Sequence, residues 1–529
     1  MTRTFGRSLV AAAAAALLIA PSAFAAKGFS YGVTAGEVSS SSAILWGHAN
    51  RGGRYSLEVA RDRRFRSAVA EVRVRATRGN DFTVQRRVGR LAPGRRYWYR
   101  FTGTRGRKSD TGTFVTAPRR GRNAKLEFAF TGDTDFTPEP GKTTPYWNSG
   151  GVFARMRAER NHFNVHLGDT IYSDSEVPGA LHPIALTVPA KWTKYKVNLA
   201  NRHLRAVRRS AGFFSHWDDH EFVNDFSPNE STFSNDVNID GRTLYRRGVR
   251  AFRDYAPVRW SSRNGIYRTL RWGRNAELFF LDQRSFRSAK ADEGGVCDNP
   301  QTGEPDLAPT GPQSSRALFA VLVPSLAAPV SQACLDAIRS PDRTYLGKRQ
   351  LTRFLRAVRR SSARFKIVMN ELPIQQYYSL PYDRWEGYEA ERQKVLRSLR
   401  SVKNVIFLTT DVHATLVNDA RLQTLEPGGP KNTGILDVTV GPAATANFSL
   451  EIDGATGRPG SGPLVDQVFH EASPQNGGVG MQCSVIDRFS YGQVSVSATQ
   501  LVVTPKGIGG EQLRNGSKPC GPFVLNYER

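Results

Sequence analysis

Beyond its first 25 residues the chain lacks any apolar run long enough to cross a membrane, so we expect no transmembrane segment there. Only four cysteines occur among 529 residues, and none lies at a metal-binding spacing, which excludes a cysteine-ligated metal site. No basic stretch is interleaved with aromatic residues, so no stable nucleic-acid partner is predicted. No internal repeat is visible, which argues against a repeat architecture.

What is present is an ordinary globular composition with a strong excess of basic residues. The chain is 39% hydrophobic and 23% charged, and its 529 residues are enough for more than one domain. The formal charge of +27 favours anionic partners such as phosphate esters or anionic polymers. Because the arginines are scattered, a merely solvated basic surface explains the charge equally well.

Residues 1–25 are typical of a secretory signal. Arg3 and Arg7 precede the apolar stretch Ser8–Ala20, and Ala23–Ala25 is a small-x-small cleavage site. There is no twin-arginine pair, which favours the general secretion route. We therefore expect a secreted, periplasmic or cell-surface protein; the alternative is a short membrane anchor.

An exported chain with four cysteines is expected to form two disulfides. Pairing of neighbours, Cys297 with Cys334 and Cys483 with Cys520, is the simplest of the three possible connectivities, and the other two remain open.

The pattern of the chain changes near residue 120. Residues 27–117 predict an all-β domain, a small sandwich of about seven strands that include Ser42–Trp46, Tyr55–Val59 and Tyr97–Phe101. The basic stretch 118–123 is the expected linker. From residue 124 to 529 strands alternate with helices, which predicts an α/β domain.

Three helices are expected in this second part, at Trp192–Arg209, Leu346–Arg360 and Glu386–Leu399. Residues 292–340, rich in proline, glycine, serine and alanine, predict a surface insertion. Two further irregular stretches, 425–433 and 454–480, are expected to be loops near the site.

Six short apolar runs each end at a polar cluster whose side chains are able to bind metals. Runs of this length are typical of buried strands, and ligands of open α/β sheets bind beyond the carboxyl ends of such strands. We therefore interpret the clusters as parts of one metal site. The runs and the residues after them are Leu126–Gly132 with Asp133 and Asp135, Phe163–Gly168 with Asp169 and Tyr172, Phe213–Trp217 with Asp218, Asp219, His220 and Glu221, Leu278–Leu281 with Asp282, Arg284 and Arg287, Phe365–Met369 with Asn370 and Glu371, and Val405–Thr410 with Asp411 and His413.

Oxygen donors with an imidazole suit hard cations such as calcium, magnesium, manganese or ferric iron. A phenolate from Tyr172 would favour iron(III), and Asp169 is the candidate bridging ligand because a carboxylate reaches two ions. Two adjacent metals clamp a phosphate and activate water. An isolated Gly-Asp or Asp-x-His is usually a turn or a helix cap. Residues 218–221, four consecutive ionisable residues, are costly to bury without a function.

The order of these motifs resembles the PhoD-like alkaline phosphatase/phosphodiesterase family of the metallophosphoesterase superfamily. The resemblance runs from Phe29 to the C-terminus, and its motifs stand here as Phe29–Gly36 with Ile44–Trp46, Leu91-x-Pro93-Gly94-x-x-Tyr97, Gly168-Asp169-x-x-Tyr172, Trp217–Glu221 with Asn224, Leu281-Asp282-x-Arg284-x-x-Arg287, Trp385-x-Gly387-Tyr388 with Arg392, and Asp411-x-His413.

The resemblance implies a four-layer αββα sandwich, with two mixed sheets flanked by helices, after an N-terminal fibronectin- or immunoglobulin-like β-sandwich. It also implies an iron–calcium site that cleaves phosphomonoesters and phosphodiesters. By resemblance Asp169 would bridge metals, Tyr172 would bind iron, and a second ion would be held by Asn224, Asp411 and His413. Asp219 or His220 would lie beside the phosphate, with His220 the candidate proton donor, and Arg284 or Arg287 would pair with phosphate oxygens.

One departure concerns the metal. Family members carry a cysteine after the first catalytic strand, where this chain has Asp133, as in the Asp-x-His or Asp-x-Asp of the wider superfamily. Manganese or another divalent metal therefore competes with iron. The next family acid matches either Asp135 or Glu139, and Asp225 replaces a family asparagine, which makes the site more acidic.

Two other functions compete with a secreted phosphoesterase. A purple-acid-phosphatase-like enzyme would carry Gly-Asn-His-Glu and Gly-His-x-His where this chain has 218–221 and 410–413. A non-catalytic protein that binds anionic cell-surface polymers would have no need for six acid-tipped strands. The substrate of an enzyme would be an ester of the phospholipid, wall-polymer or nucleotide type; the oligomeric state is not readable.

Overall fold

A computed structural model describes residues 28–180, 184–233, 237–425, 428–471 and 479–529. The expected signal sequence at residues 1–25 lies outside these described residues. No helix in the described ranges is both long enough and apolar enough to cross a bilayer.

The N-terminal part contains seven strands in two facing sheets. They are β1 (Phe29–Gly36), β2 (Ala43–Ala49), β3 (Gly53–Ala60), β4 (Ala68–Ala76), β5 (Thr83–Val88), β6 (Arg96–Thr102) and β7 (Gly112–Val115), with 3-10 turns at Arg78–Asn80 and Thr104–Gly106. One sheet has the order β1-β2-β5 and the other β4-β3-β6-β7. In β6 every second side chain is buried, and Tyr97, Tyr99 and Phe101 pack with Leu45 and Leu57 between the sheets. The N-terminal β domain is as predicted.

Most of the remaining strands build two large mixed sheets, and four short strands form two separate two-stranded sheets. They are β8 (Leu126–Thr131), β9 (Phe163–Leu167), β10 (Gly212–His216), β11 (Thr232–Phe233), β12 (Val237–Asn238), β13 (Arg268–Trp272), β14 (Ala276–Phe280), β15 (Phe365–Met369), β16 (Val405–Thr409), β17 (Thr415–Arg421), β18 (Asn432–Thr439), β19 (Met481–Val485), β20 (Ser490–Val496), β21 (Gln500–Gly507), β22 (Arg514–Asn515), β23 (Lys518–Pro519) and β24 (Phe523–Asn526).

The first large sheet has the order β24-β21-β20-β8-β9-β10-β1-β2-β5, so strands of the N-terminal part extend the sheet of the second part. The junction is the parallel pairing of Ala35 in β1 with Gly212 in β10. The second large sheet has the order β13-β14-β15-β16-β18-β17-β19. Strands β8, β9 and β10 are mutually parallel, as are β14, β15, β16 and β18, which directs their carboxyl ends to the same side of each sheet.

Ten helices occur in the described ranges: α1 (Gly151–Ala158), α2 (Val188–Ala200), α3 (Arg202–Ser210), α4 (Gly241–Tyr255), α5 (Gln313–Phe319), α6 (Gln332–Arg339), α7 (Lys348–Arg360), α8 (Glu389–Leu399), α9 (Phe448–Thr456) and α10 (Gly462–Glu471). Apolar residues of α1 to α4 pack on one face of the first sheet, and those of α7 and α8 pack on the second. The central core lies between the sheets, for example at Phe128, Leu278 and Ile367. The predicted four-layer α/β sandwich is therefore confirmed.

Two helix boundaries differ from the prediction. The single helix expected at 192–209 is wrong, because Asn201 ends α2 and its side chain then accepts hydrogen bonds from the first N–H groups of α3. The stretch expected to be helical at 386–399 begins as a 3-10 turn, Trp385–Tyr388, before α8. The helix at 346–360 begins at Lys348.

The irregular segments have more structure than expected. The insertion 292–340 contains α5, the 3-10 turn Pro324–Ala327 and α6, and its Cys297–Cys334 disulfide packs beside Tyr382. The loop expected at 454–480 is wrong for its first part, where α9 ends and α10 follows; residues 472–478 lie outside the described residues. The stretch 425–433 is a turn into β18, with 426–427 outside the described residues. The second disulfide joins Cys483 and Cys520, so both simplest pairings are present.

Candidate metal centre

Carboxylates follow directly on parallel strands of both large sheets. Asp133 comes after β8, Asp169 after β9 and Asp411 after β16, and each has a left-handed backbone, with φ of 60°, 48° and 74°. Aspartate tolerates this conformation better than most residues, yet it still costs energy and is concentrated at functional sites. The sharp turns direct the three side chains towards one another instead of along the strands.

Two glycines allow these turns to lie close together. Gly168 has φ of 92°, and a Cβ on it would lie 2.8 Å from Cβ of Asp218. A Cβ on Gly132 would lie 2.9 Å from Cβ of Thr410, at the end of β16. A larger residue at either position would push one strand-end loop away from its neighbour.

The ligand atoms gather into overlapping groups centred on Asp169. Within each group the atoms lie within 4.8 Å of one another. Asp169 is a member of three groups, which is the arrangement expected of a carboxylate that bridges two cations. Those three groups are Asp133, Asp169 and His413; Asp169, Asp219 and His220; and Asp169, Asp218, Asp219 and Asp411. A fourth group, next to them, is Asp219, Asp225 and Asp383.

Several of these carboxylate oxygens are buried without a hydrogen bond from any described residue: both of Asp133, and Oδ2 of Asp169 and of Asp218. Burial raises the pKa of Asp133 to about 7 and that of Asp218 to about 6, and burial together with neighbouring carboxylates raises the pKa of Asp169 well above its ordinary value. Leaving such groups bare is costly. A donor set of this kind fits metal cations, which would satisfy the oxygens and cancel the repulsion.

His220 is held in a fixed orientation at the edge of this cluster. Its ring stacks on Tyr172, with centroids 3.9 Å apart, and its Nδ1 lies 2.6 Å from Oδ1 of Asp174. The other oxygen of Asp174 accepts the backbone N–H of Asn224 at 2.6 Å. Burial alone would lower the pKa of His220, but the charges of Asp174 and Asp219 outweigh it and raise this pKa well above the ordinary value. The imidazole is therefore protonated near neutral pH.

His413 links the metal cluster to helix α9. Its Nε2 lies 2.8 Å from the hydroxyl of Tyr172, and its Nδ1 is hydrogen-bonded to Glu451. Burial alone would lower the pKa of His413, but Glu451 outweighs it and raises this pKa to about 9. A cation bound by His413 at Nε2 would replace the contact with Tyr172, while Glu451 would fix the ring through the other nitrogen.

Two family models match the chain. The model described as PhoD-like phosphatase matches residues 143–475, well over half of the 529 residues, and the model of the PhoD-like phosphatase N-terminal domain matches residues 12–118. The chain belongs to the PhoD-like phosphatase family.

Individual relatives agree with this assignment. Alkaline phosphatase D of Bacillus subtilis (strain 168) is 25% identical over 430 residues, which are 74% of this chain and 65% of that protein. The solved structure of PhoD matches with a TM-score of 0.70 at 20% identity, covering 95% of this chain and 90% of that one. A purple acid phosphatase from yellow lupin (Lupinus luteus) seeds matches with a TM-score of 0.55 at 11% identity, covering 92% and 73%. At identities of 20% and 11%, these two structures are evidence for the fold alone.

In this PhoD-like chain Arg284 and Arg287 lie away from the role expected of them. Arg284 bonds both oxygens of Asp383 at 2.7 Å and also Asp218, while Arg287 bonds Asp383 at 2.7 Å and Tyr388 at 3.1 Å. Both guanidinium groups are completely buried. Their N–H groups already serve carboxylates, backbone carbonyls and a tyrosine hydroxyl. This geometry favours a structural network at the edge of the site, where Arg284 also lies 3.7 Å from Asp219, over direct pairing with phosphate oxygens.

Asp135 also differs from the expectation. Its Oδ1 accepts the N–H of Thr137 at 2.9 Å and its Oδ2 accepts the hydroxyl of Ser175 at 2.5 Å, and it belongs to none of the ligand groups found among the described residues. The competing acid, Glu139, forms an ion pair with Lys142. The ligand groups found among the described residues therefore include Asp133 but not Asp135 or Glu139.

Three residues of the PhoD-like site escaped the sequence analysis: Asp174, Asp383 and Glu451. Each acts on a residue that the sequence did identify, namely His220, the two arginines and His413. None of the three follows an apolar strand directly, so the strand-end pattern carries no signal for them. A search for acids able to pair with each predicted cation would have included them.

Proposed function

We propose that this chain is a metal-dependent phosphoesterase that hydrolyses phosphodiesters, phosphomonoesters or both. The observation that carries the proposal is the buried cluster centred on Asp169, whose unpartnered oxygens need cations. Membership of the PhoD-like phosphatase family and the similarity to alkaline phosphatase D support the same activity. The chain spans 65% of the length of that relative, so the activity is inferred for this chain and not transferred as a fact.

Two or more metal ions would be held at the centre. One position would use Asp133, Asp169 and His413. The other would use Asp169 with acids of the group that also contains Asp218, Asp219 and Asp411. The oxygen-rich donor set favours hard cations, with calcium and iron suggested by the family resemblance and manganese a competing choice. When bound, such ions polarise the phosphoryl group and supply a water nucleophile near neutral pH.

His220 is the proposed proton donor to the leaving oxygen. Asp174 holds its imidazole protonated and fixes the ring against Tyr172, so the proton on Nε2 is available to the alkoxide that departs as the ester bond breaks. Asp174 is therefore a positioning residue. Asp219, whose carboxylate accepts the N–H of His220 at 3.0 Å, would lie beside the phosphate. Tyr172 and Asn224 are proposed to complete the surroundings of the metals.

The partner is a phosphate ester of the phospholipid, wall-polymer or nucleotide type. The charge of +27 would draw anionic esters towards the protein. The signal-like residues 1–25 and the two disulfides support a location outside the cytoplasm, either secreted, periplasmic or at the cell surface.

Hydrolysis of bis-p-nitrophenyl phosphate by the purified mature protein tests the activity, with EGTA treatment and metal analysis alongside. We expect Asp169→Asn to lose at least about a thousandfold in kcat and to lose bound metal, because several ligand groups share Asp169. Asp437→Asn is the matched control. It removes another buried carboxylate, which accepts N–H groups of Ile374 and Gln375 and belongs to none of the ligand groups among the described residues.

The outcome separates the possible assignments. Full turnover by Asp169→Asn with its metals retained would refute the proposed centre. Turnover that EGTA abolishes and calcium restores would favour calcium, and turnover that EGTA leaves intact would favour tightly held transition metals. Asp135→Asn is expected to keep its metals, and loss of metal from that variant would restore Asp135 as a ligand.

A further inference from the structure

An apolar cavity adjoins the proposed metal centre. It has a volume of about 250 Å³ and lies between the insertion 292–340, the loop 378–380 and helices α9 and α10. Leu307, Phe319 and Leu326 line it from the insertion, Leu380 from the loop, and Phe448 and Ile452 from α9. Such a cavity, apolar over most of its wall, suits a hydrocarbon group better than a sugar or a base.

The wall of this cavity is continuous with the residues of the metal centre. Glu451 lines the cavity and is hydrogen-bonded to Nδ1 of His413. Phe448, also in the wall, donates its backbone N–H to the carbonyl of His413 at 3.0 Å. The cavity and the metal centre therefore share helix α9 as a common wall.

Two of the leucines in the cavity wall are exposed to solvent. Leu380 is 54% exposed and Leu307 is 37% exposed, and both belong to its wall. Three more exposed leucines are chain neighbours of wall residues: Leu318, Leu450 and Leu464. Exposed apolar side chains at the wall of an apolar cavity are typical of a binding site.

The backbone of the loop 378–380 is strained in a way that presents these side chains. Tyr378 has φ of 65° and Leu380 has φ of 46°, a region that bulky residues rarely occupy. The N–H of Leu380 donates to the carbonyl of Leu307 at 2.7 Å, which fixes the loop to the insertion. The two exposed leucines are thus held together at the mouth of the cavity at a cost to local stability.

We propose that this cavity binds the hydrocarbon chain of an amphiphilic phosphate ester whose phosphate lies at the metal centre. The inference rests on the proposed function and names its substrate class: a phosphoester that carries an alkyl or acyl chain. Glu451 and Phe448 line the cavity and also contact His413 of the metal centre. This shared wall favours a molecule that carries both a phosphate and a hydrocarbon chain over an unrelated apolar partner.

The test compares methyl, butyl and octyl p-nitrophenyl phosphates, all below their micelle concentrations, with the full mature chain loaded with metal. We expect KM to fall as the chain lengthens, by up to about fourfold for each methylene that enters the cavity, and kcat to change little. Calorimetry with octylphosphonate measures binding to the cavity without turnover. The affinity for octylphosphonate should exceed that for methylphosphonate by at least about tenfold.

A matched pair of variants locates the effect. Ala455 lines the cavity from α9 and is exposed, and Ala455→Trp should fill its mouth and reduce the octyl-to-methyl ratio of kcat/KM towards one. Ala158, an exposed alanine at the end of α1, is the control, and Ala158→Trp should keep the ratio of the wild type. Ser315→Trp, from the opposite wall, replaces Ala455→Trp if that variant does not fold.

Each failure has a different meaning. Equal KM for methyl and octyl esters would overturn the inference and leave the phosphoesterase standing. A length dependence that Ala455→Trp leaves intact would place the chain elsewhere and also overturn it. Mass that rises with protein concentration, without a length dependence, would assign the leucines to a second copy of the chain. No turnover of any ester would refute the proposed function itself, and with it this inference.

Discussion

Replacing Asp383 with asparagine separates a structural role of the two buried arginines from a role in substrate binding. The carboxylate of Asp383 bonds Arg284 twice and Arg287 once, all at 2.7 Å, and both guanidinium groups are fully buried. Burial alone would raise the pKa of Asp383, but the two arginines outweigh it and hold this pKa below its ordinary value. The carboxylate is therefore ionised and compensates two charges.

Asparagine would leave one buried positive charge without a partner. Breaking a buried ion pair from one side costs about 3–5 kcal/mol. Arg284 keeps Asp218, whereas Arg287 keeps no carboxylate. Its other partners are a tyrosine hydroxyl, a backbone carbonyl and the rings of Tyr345 and Tyr388, so most of the cost falls on Arg287. We expect Asp383→Asn to lose about 3–5 kcal/mol of the free energy of unfolding.

Urea unfolding of metal-loaded protein at pH 7.5, followed by fluorescence, measures this loss. Asp342→Asn, an exposed aspartate, is the control and should lie within about 0.5 kcal/mol of the wild type. If Asp383→Asn unfolded like the wild type and kept its metals while its kcat/KM fell steeply, the arginines would act on the substrate, and the structural interpretation would be refuted.

Three further perturbations test the centre and its supports. Removing the metals should destabilise the protein more at pH 8 than at pH 5. The pKa of Asp133 is about 7 in the folded chain and about 4 in the unfolded chain, so the stability that its protonation contributes is fully present below pH 4 and is lost as the pH rises through 7. Urea unfolding of chelated protein should show a loss of at most about 4 kcal/mol. A difference between chelated and loaded protein that did not change with pH would contradict this. Gly168→Ala should lose metal and about 1–3 kcal/mol of stability, because both the φ of 92° and the closeness of Asp218 oppose a side chain at this position. Metal analysis and thermal unfolding measure the two losses. A variant with the metal content of the wild type would count against the close approach of Gly168 to Asp218. Burial lowers the pKa of Lys191 to about 7, so between pH 7 and 10.5 the unfolded chain binds more protons than the folded chain, and stability should rise with pH in that range. Lys191→Met should remove this part of the slope of Tm against pH. An unchanged slope would show that Lys191 is not its source.

The layers of the fold and the convergence of several acids were predictable because the evidence for them is local. The apolar run 163–168 and its acidic end lie within a few residues of each other, and the structure turns them into β9 and Asp169. The other five acid-tipped runs likewise became β8, β10, β14, β15 and β16. Parallel strands then bring ends that are far apart in sequence to one edge, and acids that follow β8, β9, β10 and β16 share ligand groups. Asp282 after β14 and Glu371 after β15 belong to none of the groups found among the described residues.

What the sequence did not determine depends on side-chain direction. Asp133 and Asp135 look equivalent in the sequence, yet the left-handed turn at Asp133 directs it into the cluster while Asp135 bonds Ser175. From the sequence Arg284 looks able to bind a phosphate, but in the structure its guanidinium is bound to Asp383, which lies 99 residues away in the chain. The helices α9 and α10 were missed because their glycines, serines and prolines resemble a loop, whereas Asn447 caps α9 and apolar contacts hold it in place.

The charge distribution of the chain also requires metals. The surface is strongly basic and would attract a phosphate ester, but the centre consists of buried acids around Asp169 that would repel it. Arg284 is already bound to Asp218 and Asp383, so its N–H groups are engaged by acids of the protein. Cations held by the acids around Asp169 would cancel the repulsion, and the protonated imidazole of His220 would cancel a smaller part of it. Affinity for a phosphate ester should therefore depend on the metals bound by Asp169 and its neighbours, while the basic surface governs how fast the ester arrives.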